Sequence, residues 1–168
     1  MRLRTSAITL AALAALALLT WAQSPPAKGV LPAAELKQLV PHDFFFAGKT
    51  ASVQLRNSAG VRFASGKLLL AALVDTSGYS SAIEEKYQGL FITETSLTIE
   101  GSSLKPGAYG FGFSKGKFIV MDVAADDVLS VAAQHDETVK PVMPLKMVEQ
   151  GGSYRLYAGK SFVTVKGQ

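Results

Sequence analysis

The chain has 168 residues, of which 48% are hydrophobic and 18% are charged, with a formal net charge of +4 and no cysteine. This length suits one domain with a sizeable core. The lack of cysteine argues against disulfides, thiol catalysis, cysteine-based metal sites and a lipid anchor on a cysteine. The weak, dispersed positive charge gives no indication of a nucleic acid or an anionic membrane as partner.

The first 22 residues have the layout of a secretory signal peptide. Arg2 and Arg4 form a short positive region, an apolar run extends from Ala7 to Leu19, and Thr20-Trp21-Ala22 ends with small residues at a cleavage site. We expect cleavage after Ala22, which leaves 146 residues with 15 basic and 13 acidic side chains. The protein is therefore expected to be periplasmic or secreted, with no transmembrane segment in the mature chain, because no later apolar run approaches roughly 20 residues.

The segment after the signal peptide divides into a leader and one domain. Residues 23–31 contain two prolines and small residues, so we expect a flexible leader. Residues 32–168 are predicted to form a single β-rich domain. A short helix is predicted from Pro32 to Val40, because proline suits a first helical turn and Pro41 ends the helix.

Alternating apolar and polar residues dominate from Thr50 onward, which indicates β-strands. Asn57–Gly60 has turn-forming composition and is predicted to separate two strands. The continuous apolar run Leu68–Val74 has the length of a buried strand. A second short helix is predicted at Ser81–Tyr87, where Ser81 and Glu84 have the spacing of a capping box.

The residue pairing in the last hairpin of the sequence can be predicted from the position of its turn. Gly159-Lys160 is a two-residue loop with glycine in the first position, as a type II′ turn prefers. Counting outward pairs Leu156 with Val163 on one face and Tyr157 with Phe162 on the other. Apolar residues meet apolar residues, which supports this register.

A second hairpin turns near Lys115-Gly116 and contains an unusual glycine face. The register pairs Gly110 with Met121 and Gly112 with Ile119, while aromatic rings occupy the opposite face of the glycine-bearing strand. Glycine inside a strand often marks the close approach of another segment. We expect Ile119 and Met121 to fold over the glycines, or another segment to pack there.

The predicted elements define the fold class. About nine to eleven short strands with close turns and no strand–helix alternation predict an all-β, mainly antiparallel protein. The expected architecture is a β-sandwich or a small barrel with one or two short helices.

Catalytic and metal-binding patterns are weak in this sequence. His42 and His135 are its two histidines, each followed by an acid, but neighbouring strand residues point to opposite faces and form no dyad by themselves. A two-histidine, one-carboxylate site would need both histidines to meet in space. The sequence lacks a nucleophile elbow, a dinucleotide fingerprint and a calcium loop. We therefore expect no catalytic residue, metal or cofactor.

Aromatic residues are the candidate contact sites. Three consecutive rings, Phe44, Phe45 and Phe46, cannot all face one core, so at least one is expected to be exposed or to cap an edge. Tyr109 and Phe111 belong to the glycine-bearing strand. These five side chains are the candidate contacts for a small apolar ligand or a protein partner.

The segment Leu104-Lys-Pro-Gly-Ala-Tyr-Gly-Phe-Gly-Phe, together with Lys117–Val123 and the pattern from Pro144 to Lys160, resembles a group of uncharacterised exported bacterial β-rich proteins. The similarity covers the C-terminal two-thirds of the chain. This resemblance implies an exported location and a β-rich fold, and it carries no catalytic residue.

Three functions fit these observations. The leading hypothesis is a non-catalytic exported β-domain that binds a small apolar ligand or an envelope protein. One alternative is a periplasmic hydrolase or metal-dependent enzyme using His42 or His135, the latter with Asp136 or Glu137; another is a structural envelope component. A closed barrel with an open, apolar-lined cavity would favour ligand binding, and histidines converging in a cleft would favour an enzyme. A filled core and a flat apolar patch would favour a protein partner.

Overall fold

A computed structural model describes residues 27–168, so the predicted signal peptide, residues 1–22, and residues 23–26 of the predicted leader lie outside the described residues. Two short helices occur in the described residues, α1 (Ala33–Leu39) and α2 (Ser81–Glu84). The strands are β1 (Gly29–Val30), β2 (Asp43–Phe46), β3 (Lys49–Arg62), β4 (Leu68–Val74), β5 (Gly89–Thr93), β6 (Leu97–Ile99), β7 (Ser102–Leu104), β8 (Gly107–Ser114), β9 (Lys117–Met121), β10 (Asp127–Ala132), β11 (Gln134–His135), β12 (Lys146–Gln150), β13 (Ser153–Ala158) and β14 (Ser161–Gly167).

The strands form two antiparallel sheets. The large sheet has the order β1-β3-β4-β5-β8-β9-β10, and β2 pairs with the beginning of β3. The small sheet has the order β12-β13-β14-β6-β7, and β11 pairs with the beginning of β14. The predicted all-β, antiparallel class with two short helices is confirmed. Within residues 27–168 the architecture is a β-sandwich and not a closed barrel.

The two sheets enclose the first of two hydrophobic cores, which we call the sandwich core. Its rings contact one another across neighbouring strands, with Phe91 5.8 Å from Phe118 and 6.1 Å from Phe111 between ring centroids. Aliphatic side chains from both sheets complete this core: Val61, Leu69, Leu97, Ile99, Val120, Leu156, Val163 and Val165. All eleven of these residues are fully buried, so the interior of the sandwich is filled by side chains.

A second core covers the other face of the large sheet, which we call the outer face. Helix α1, strand β2 and the segment containing α2 form a third layer there, and an ion pair between Glu35 and Arg62 holds α1 to β3. Strand β4 is therefore buried on both faces. Leu69 and Ala71 enter the sandwich core, while Leu70 and Ala72 enter the outer core. This double burial explains the uninterrupted apolar run of β4.

The predicted turn at Asn57–Gly60 is wrong, because this segment belongs to β3. Pairing with β4 jumps from Val53↔Val74 to Ser58↔Ala72, so the residues between Val53 and Ser58 form a large bulge. Bulges bend strands, and the beginning of β3 pairs with β2 in the layer over the outer face. Gly60 serves close packing and not a turn, since a Cβ atom there would lie 2.8 Å from the carbonyl oxygen of Leu69.

The registers of both predicted hairpins are confirmed. Strands β13 and β14 pair Leu156 with Val163 and Tyr157 with Phe162, and Gly159 has the positive φ of 63° that favours glycine. Strands β8 and β9 also pair as predicted, with Gly112 opposite Ile119 and Gly110 opposite Met121.

The helices differ from prediction at their ends. Helix α1 lies inside the predicted Pro32–Val40 segment, whereas α2 ends at Glu84, before the predicted Tyr87. The capping box is wrong, since Ser80 precedes the helix and makes no side-chain capping bond. At the N-terminal side, β1 pairs with the end of β3 inside the predicted leader 23–31, and Leu31 is 4% exposed.

Candidate functional site

The five candidate aromatic residues do not share one surface. Phe44 and Phe46 are buried in the outer core, whereas Phe111 is buried in the sandwich core and Tyr109 packs against it. Phe45, between the two buried phenylalanines, is 56% exposed. Alternation along β2 places it on the solvent side. Phe45 is therefore the one side chain of the predicted set that is mostly exposed to solvent.

The ring of Phe46 lies against the glycine face of β8. It stacks on Tyr87 with 3.9 Å between ring centroids and an interplanar angle of 18°. A Cβ atom at Gly110 would lie 2.4 Å from this ring, and one at Gly112 would lie 2.2 Å from the carbonyl oxygen of Lys86. The expectation that another segment packs on the glycines is confirmed. The occupants are Phe46 and the backbone at Lys86.

Tyr87 is a buried polar residue that the sequence analysis did not single out. Its side chain is fully buried, and in the described part of the chain its hydroxyl has no partner at ordinary hydrogen-bond geometry, although the Tyr79 hydroxyl lies close to it. Burial raises the pKa of Tyr87, and the nearby Tyr79 phenol raises it further. The Tyr79 hydroxyl instead donates to the carbonyl oxygen of Phe46 at 3.1 Å. These aromatic residues fill the outer core and leave Tyr87 protonated in the folded protein.

We expect Tyr87→Phe to retain the fold and to equal or exceed the wild type in free energy of unfolding, because it removes an unpaired buried hydroxyl. The pKa of Tyr87 is higher in the folded protein than in the unfolded chain, where it is about 10. The stability that results is fully present below about pH 10 and is lost as the pH rises further. The wild type should therefore lose up to about 1.4 kcal/mol more per pH unit than the variant above pH 10. Urea unfolding at pH 8 and pH 11 measures the difference, and parallel losses in both proteins would contradict it.

The two histidines lie in different layers of the molecule. His42 directly precedes β2 in the layer over the outer face, while His135 belongs to β11 in the small sheet. The Nε2 atom of His135 is 2.9 Å from Oε1 of Glu137, whose other oxygen is 2.5 Å from Nζ of Lys160. Both contacts are solvent-exposed. The bond from Lys160, followed by that from His135, lowers the pKa of Glu137.

Asp136 anchors the loop that follows β11. Its carboxylate accepts a 2.6 Å bond from the Thr138 hydroxyl and a 3.1 Å bond from the Tyr157 hydroxyl. The Thr138 bonds are the main cause of its lowered pKa. Within residues 27–168 there is no group of three or more histidine, cysteine or acidic residues that could hold a metal ion. The contacts around His135 thus hold β11 and the loop after it against the β13–β14 hairpin.

We expect the double variant His42→Ala/His135→Ala to change the free energy of unfolding by less than about 0.5 kcal/mol, because both side chains are exposed. Zinc and iron titrations by calorimetry, with a hydrolase substrate panel alongside, compare the variant with the wild type. Stoichiometric metal binding or turnover that is lost in the double variant would restore the enzyme hypothesis.

A surface cleft of 420 Å³ lies where the outer layer ends beside β9 and β10. Lys86 pairs with Asp127 at 2.6 Å and Lys115 pairs with Glu85 at 2.5 Å along its walls, with Ile119 contributing apolar surface. Sites for small apolar ligands are usually lined by hydrophobic and aromatic side chains. The charged walls of this cleft do not fit such a ligand.

The chain two residues after the exposed Phe45 is bonded to a loop that carries a second exposed apolar residue, Val123. The Ala47 N–H, at the end of β2, donates to the carbonyl oxygen of Val123 at 2.8 Å, and Val123 is 45% exposed. This bond joins the β2–β3 turn to the loop between β9 and β10. We call the resulting region, formed by Phe45 and Val123, the Phe45–Val123 surface.

Comparison with protein-family models, curated proteins and solved structures found no match to this chain. In residues 27–168, none of the helices combines the length and the apolar character needed to cross a membrane. The contacts described above therefore carry the functional proposal.

Proposed function

We propose that this protein is an exported, non-catalytic β-sandwich that binds an envelope protein. The observation that carries the proposal is the complete filling of both cores. Phe91, Phe111 and Phe118 occupy the sandwich core, and Phe46 and Tyr87 occupy the outer core, all fully buried. A domain whose interior is filled by its own aromatic side chains can bind a partner only at its surface.

The filled interior favours a protein partner over a small apolar ligand. Ligand-binding β-domains enclose a cavity that holds most of the ligand surface. Here the close approaches at Gly110 and Gly112 leave no space even for an added methyl group on the outer face of β8. The separation of His42 and His135 in different layers likewise supports a non-catalytic role over the hydrolase alternative.

The Phe45–Val123 surface is the proposed contact region. Phe45 pairs with Thr50 in the β2–β3 hairpin, while the neighbouring rings of Phe44 and Phe46 are anchored in the outer core. This anchoring fixes the backbone that carries Phe45 before a partner binds, which lowers the entropy cost of association. Aromatic side chains on rigid elements are typical anchors of protein interfaces.

The exported location is part of the same proposal. It is supported by the signal-peptide layout of residues 1–22 and by the resemblance to exported bacterial β-rich proteins. Sequencing the N-terminus of the protein recovered from the exported fraction should give Gln23 as the first residue.

Site-specific photo-crosslinking tests both parts of the proposal. A photoreactive phenylalanine at position 45 should give one discrete protein adduct in the exported fraction, because this side chain faces solvent at the proposed contact. The same group at Ser65, in the exposed β3–β4 turn, serves as the matched control.

The outcomes separate location from binding. A protein that keeps Met1 in the exported fraction would contradict the predicted processing. A correctly processed protein that gives no adduct at position 45, or the same adducts at positions 45 and 65, would contradict the Phe45–Val123 surface as a specific contact region.

A further inference from the structure

Strand β2 has an open edge beside Phe45. It pairs with β3 on one side, and within residues 27–168 no strand pairs with its other side. Its pairing with β3 has no register shift, whereas a bulge at the beginning of β10 disturbs the edge of the large sheet. Bulges protect an edge from the addition of another strand. Strand β2 therefore offers a regular edge.

The turn after β2 determines which backbone groups face this edge. Ala47–Gly48 is a two-residue turn with positive φ values of 48° and 78°, closed by the pair of Phe46 and Lys49. The closing pair of such a turn is hydrogen-bonded, and bonded and non-bonded pairs then alternate along the hairpin. The N–H and C=O groups of Asp43 and Phe45 therefore point away from β3.

Two backbone bonds agree with this alternation. The Val53 N–H donates to the carbonyl oxygen of His42 at 2.8 Å, so this pair is a bonded one, as counting from the turn requires. On the open side, the Ala47 N–H donates to the carbonyl oxygen of Val123. Val123 thus takes, at the end of β2, the place of a neighbouring strand. The four outward groups earlier in β2 make no such bond in the described part of the chain.

The outer face of the large sheet is partly uncovered beyond this edge. Ala108 lies two residues before Gly110 on the same face of β8 and pairs with Ile92. Phe46 covers Gly110, whereas Ala108 is exposed and Ile92 is partly exposed. Val123 follows β9 at the same end of the β8–β9 hairpin as Ala108. The bond to Val123 therefore places the open edge of β2 beside this uncovered strip.

The exposed face of β2 combines an acid with an apolar ring. Asp43 and Phe45 are two residues apart and share this face. In the described residues the Asp43 carboxylate has no ion pair, and its polar contact is a 3.4 Å bond from the Ser52 hydroxyl. Lys49 lies on the opposite face of the hairpin and donates to the carbonyl oxygen of Gly78. The Asp43 charge is thus available to a cation outside the chain.

We propose that the partner adds an extended basic segment as an antiparallel strand beside β2, an inference that rests on the protein-binding function proposed above. Strand addition uses main-chain bonds for affinity and alternate side chains for specificity. The partner residue opposite Phe45 is apolar, and the residue opposite Asp43, two positions later, is lysine or arginine. The residue between them points toward Ala108 and is small or apolar.

The charge of β2 favours a different protein over a second copy of this chain as the occupant. Strand β2 contains no basic residue, so pairing two β2 strands would bring two Asp43 carboxylates into one sheet without a cation. Like charges on one face of a sheet are destabilising. The antiparallel direction is the commoner one in proteins, and every strand pair within residues 27–168 has it.

Two blocked peptides test the pairing by NMR on the processed protein. One carries Phe-Ala-Lys between threonines, and the other carries Phe-Ala-Glu in the same frame. The lysine peptide should shift the amide signals of Asp43 and Phe45, slow their hydrogen exchange and bind about fivefold more tightly than the glutamate peptide. Equal binding of both peptides, or no effect of the lysine peptide on these two amides, would overturn the proposal.

Two sets of variants test the charge and the main-chain bonds separately. Asp43→Lys should reverse the preference between the peptides, while Glu149→Lys, at an exposed acid in β12, should leave it unchanged. Phe45→Ala and Phe45→Pro both remove the ring, but only proline removes the outward N–H, which an edge strand tolerates. The proline variant should bind the lysine peptide about fivefold more weakly than the alanine variant. Equal binding by these two variants would contradict main-chain pairing.

The crosslinking experiment at position 45 separates this inference from the proposed function. A discrete protein adduct without binding of the lysine peptide would overturn the strand pairing and leave the protein-binding function standing. Binding of the lysine peptide without an adduct in the exported fraction would overturn the envelope partner and support the edge of β2 as a site for an extended basic segment.

Discussion

Replacing Phe46 by alanine is expected to lower the free energy of unfolding by about 3–5 kcal/mol, the usual cost of deleting a buried aromatic ring. Phe46 is fully buried between Tyr87 and the backbone of Gly110, and its removal leaves a cavity against both. This loss is a large part of the total stability of a typical domain. Urea unfolding monitored by circular dichroism gives the free energy directly.

The neighbouring Phe45→Ala provides the matched control for this experiment. The two changes delete the same atoms one residue apart in β2, but Phe45 is exposed, so its loss should change the free energy of unfolding by less than about 0.5 kcal/mol. Phe45→Ala should instead weaken partner binding. Equal destabilisation by the two variants would contradict the difference in burial between the two rings, and a larger loss for Phe45→Ala would show that the faces of β2 have been exchanged.

Gly112→Val is expected to lower the free energy of unfolding by about 1–3 kcal/mol through overpacking. The first added carbon would lie 2.2 Å from the carbonyl oxygen of Lys86, which is backbone and cannot rotate away. The segment that follows α2 must therefore move away from β8. Thermal unfolding and hydrogen exchange across residues 81–88 would measure the loss and its location.

Ser114→Val is the control for Gly112→Val. Ser114 lies two residues along the same strand, hence on the same face, but it is partly exposed beside the surface cleft. Valine also suits a strand, so we expect a change within about 0.5 kcal/mol. A melting temperature that is unaffected by Gly112→Val would show that the outer layer does not press on the glycine face.

The hairpin registers were predictable because they depend on local information. Turn composition at Gly159-Lys160 and the two-residue period of the strands are sufficient to align Leu156 with Val163. The wrong turn at Asn57–Gly60 has a different origin. Glycine serves both turns and close packing, and only the position of β4 beside Gly60 shows which of the two applies.

The candidate contact residues were predictable as a group but not one by one. Three consecutive rings in β2 must alternate between core and solvent, so one exposed ring was expected. The pairing of β2 with β3, and the position of that hairpin over β8, decide that the exposed ring is Phe45. Tyr87 had no distinguishing pattern in the sequence, because its burial results from packing against residues distant in the chain.

The sequence by itself determined the antiparallel β class, the two hairpin registers and the glycine face of β8, because each depends on side-chain alternation and turn chemistry over a few residues. Tertiary structure alone decided which residues became neighbours across the chain. The long-range packing gives two sheets and not a barrel, and it brings Phe46 against Gly110. The same packing separates His42 from His135 and leaves β10 at an edge. The physical reason is that long-range strand order depends on how all the apolar faces are buried together, which no local pattern specifies.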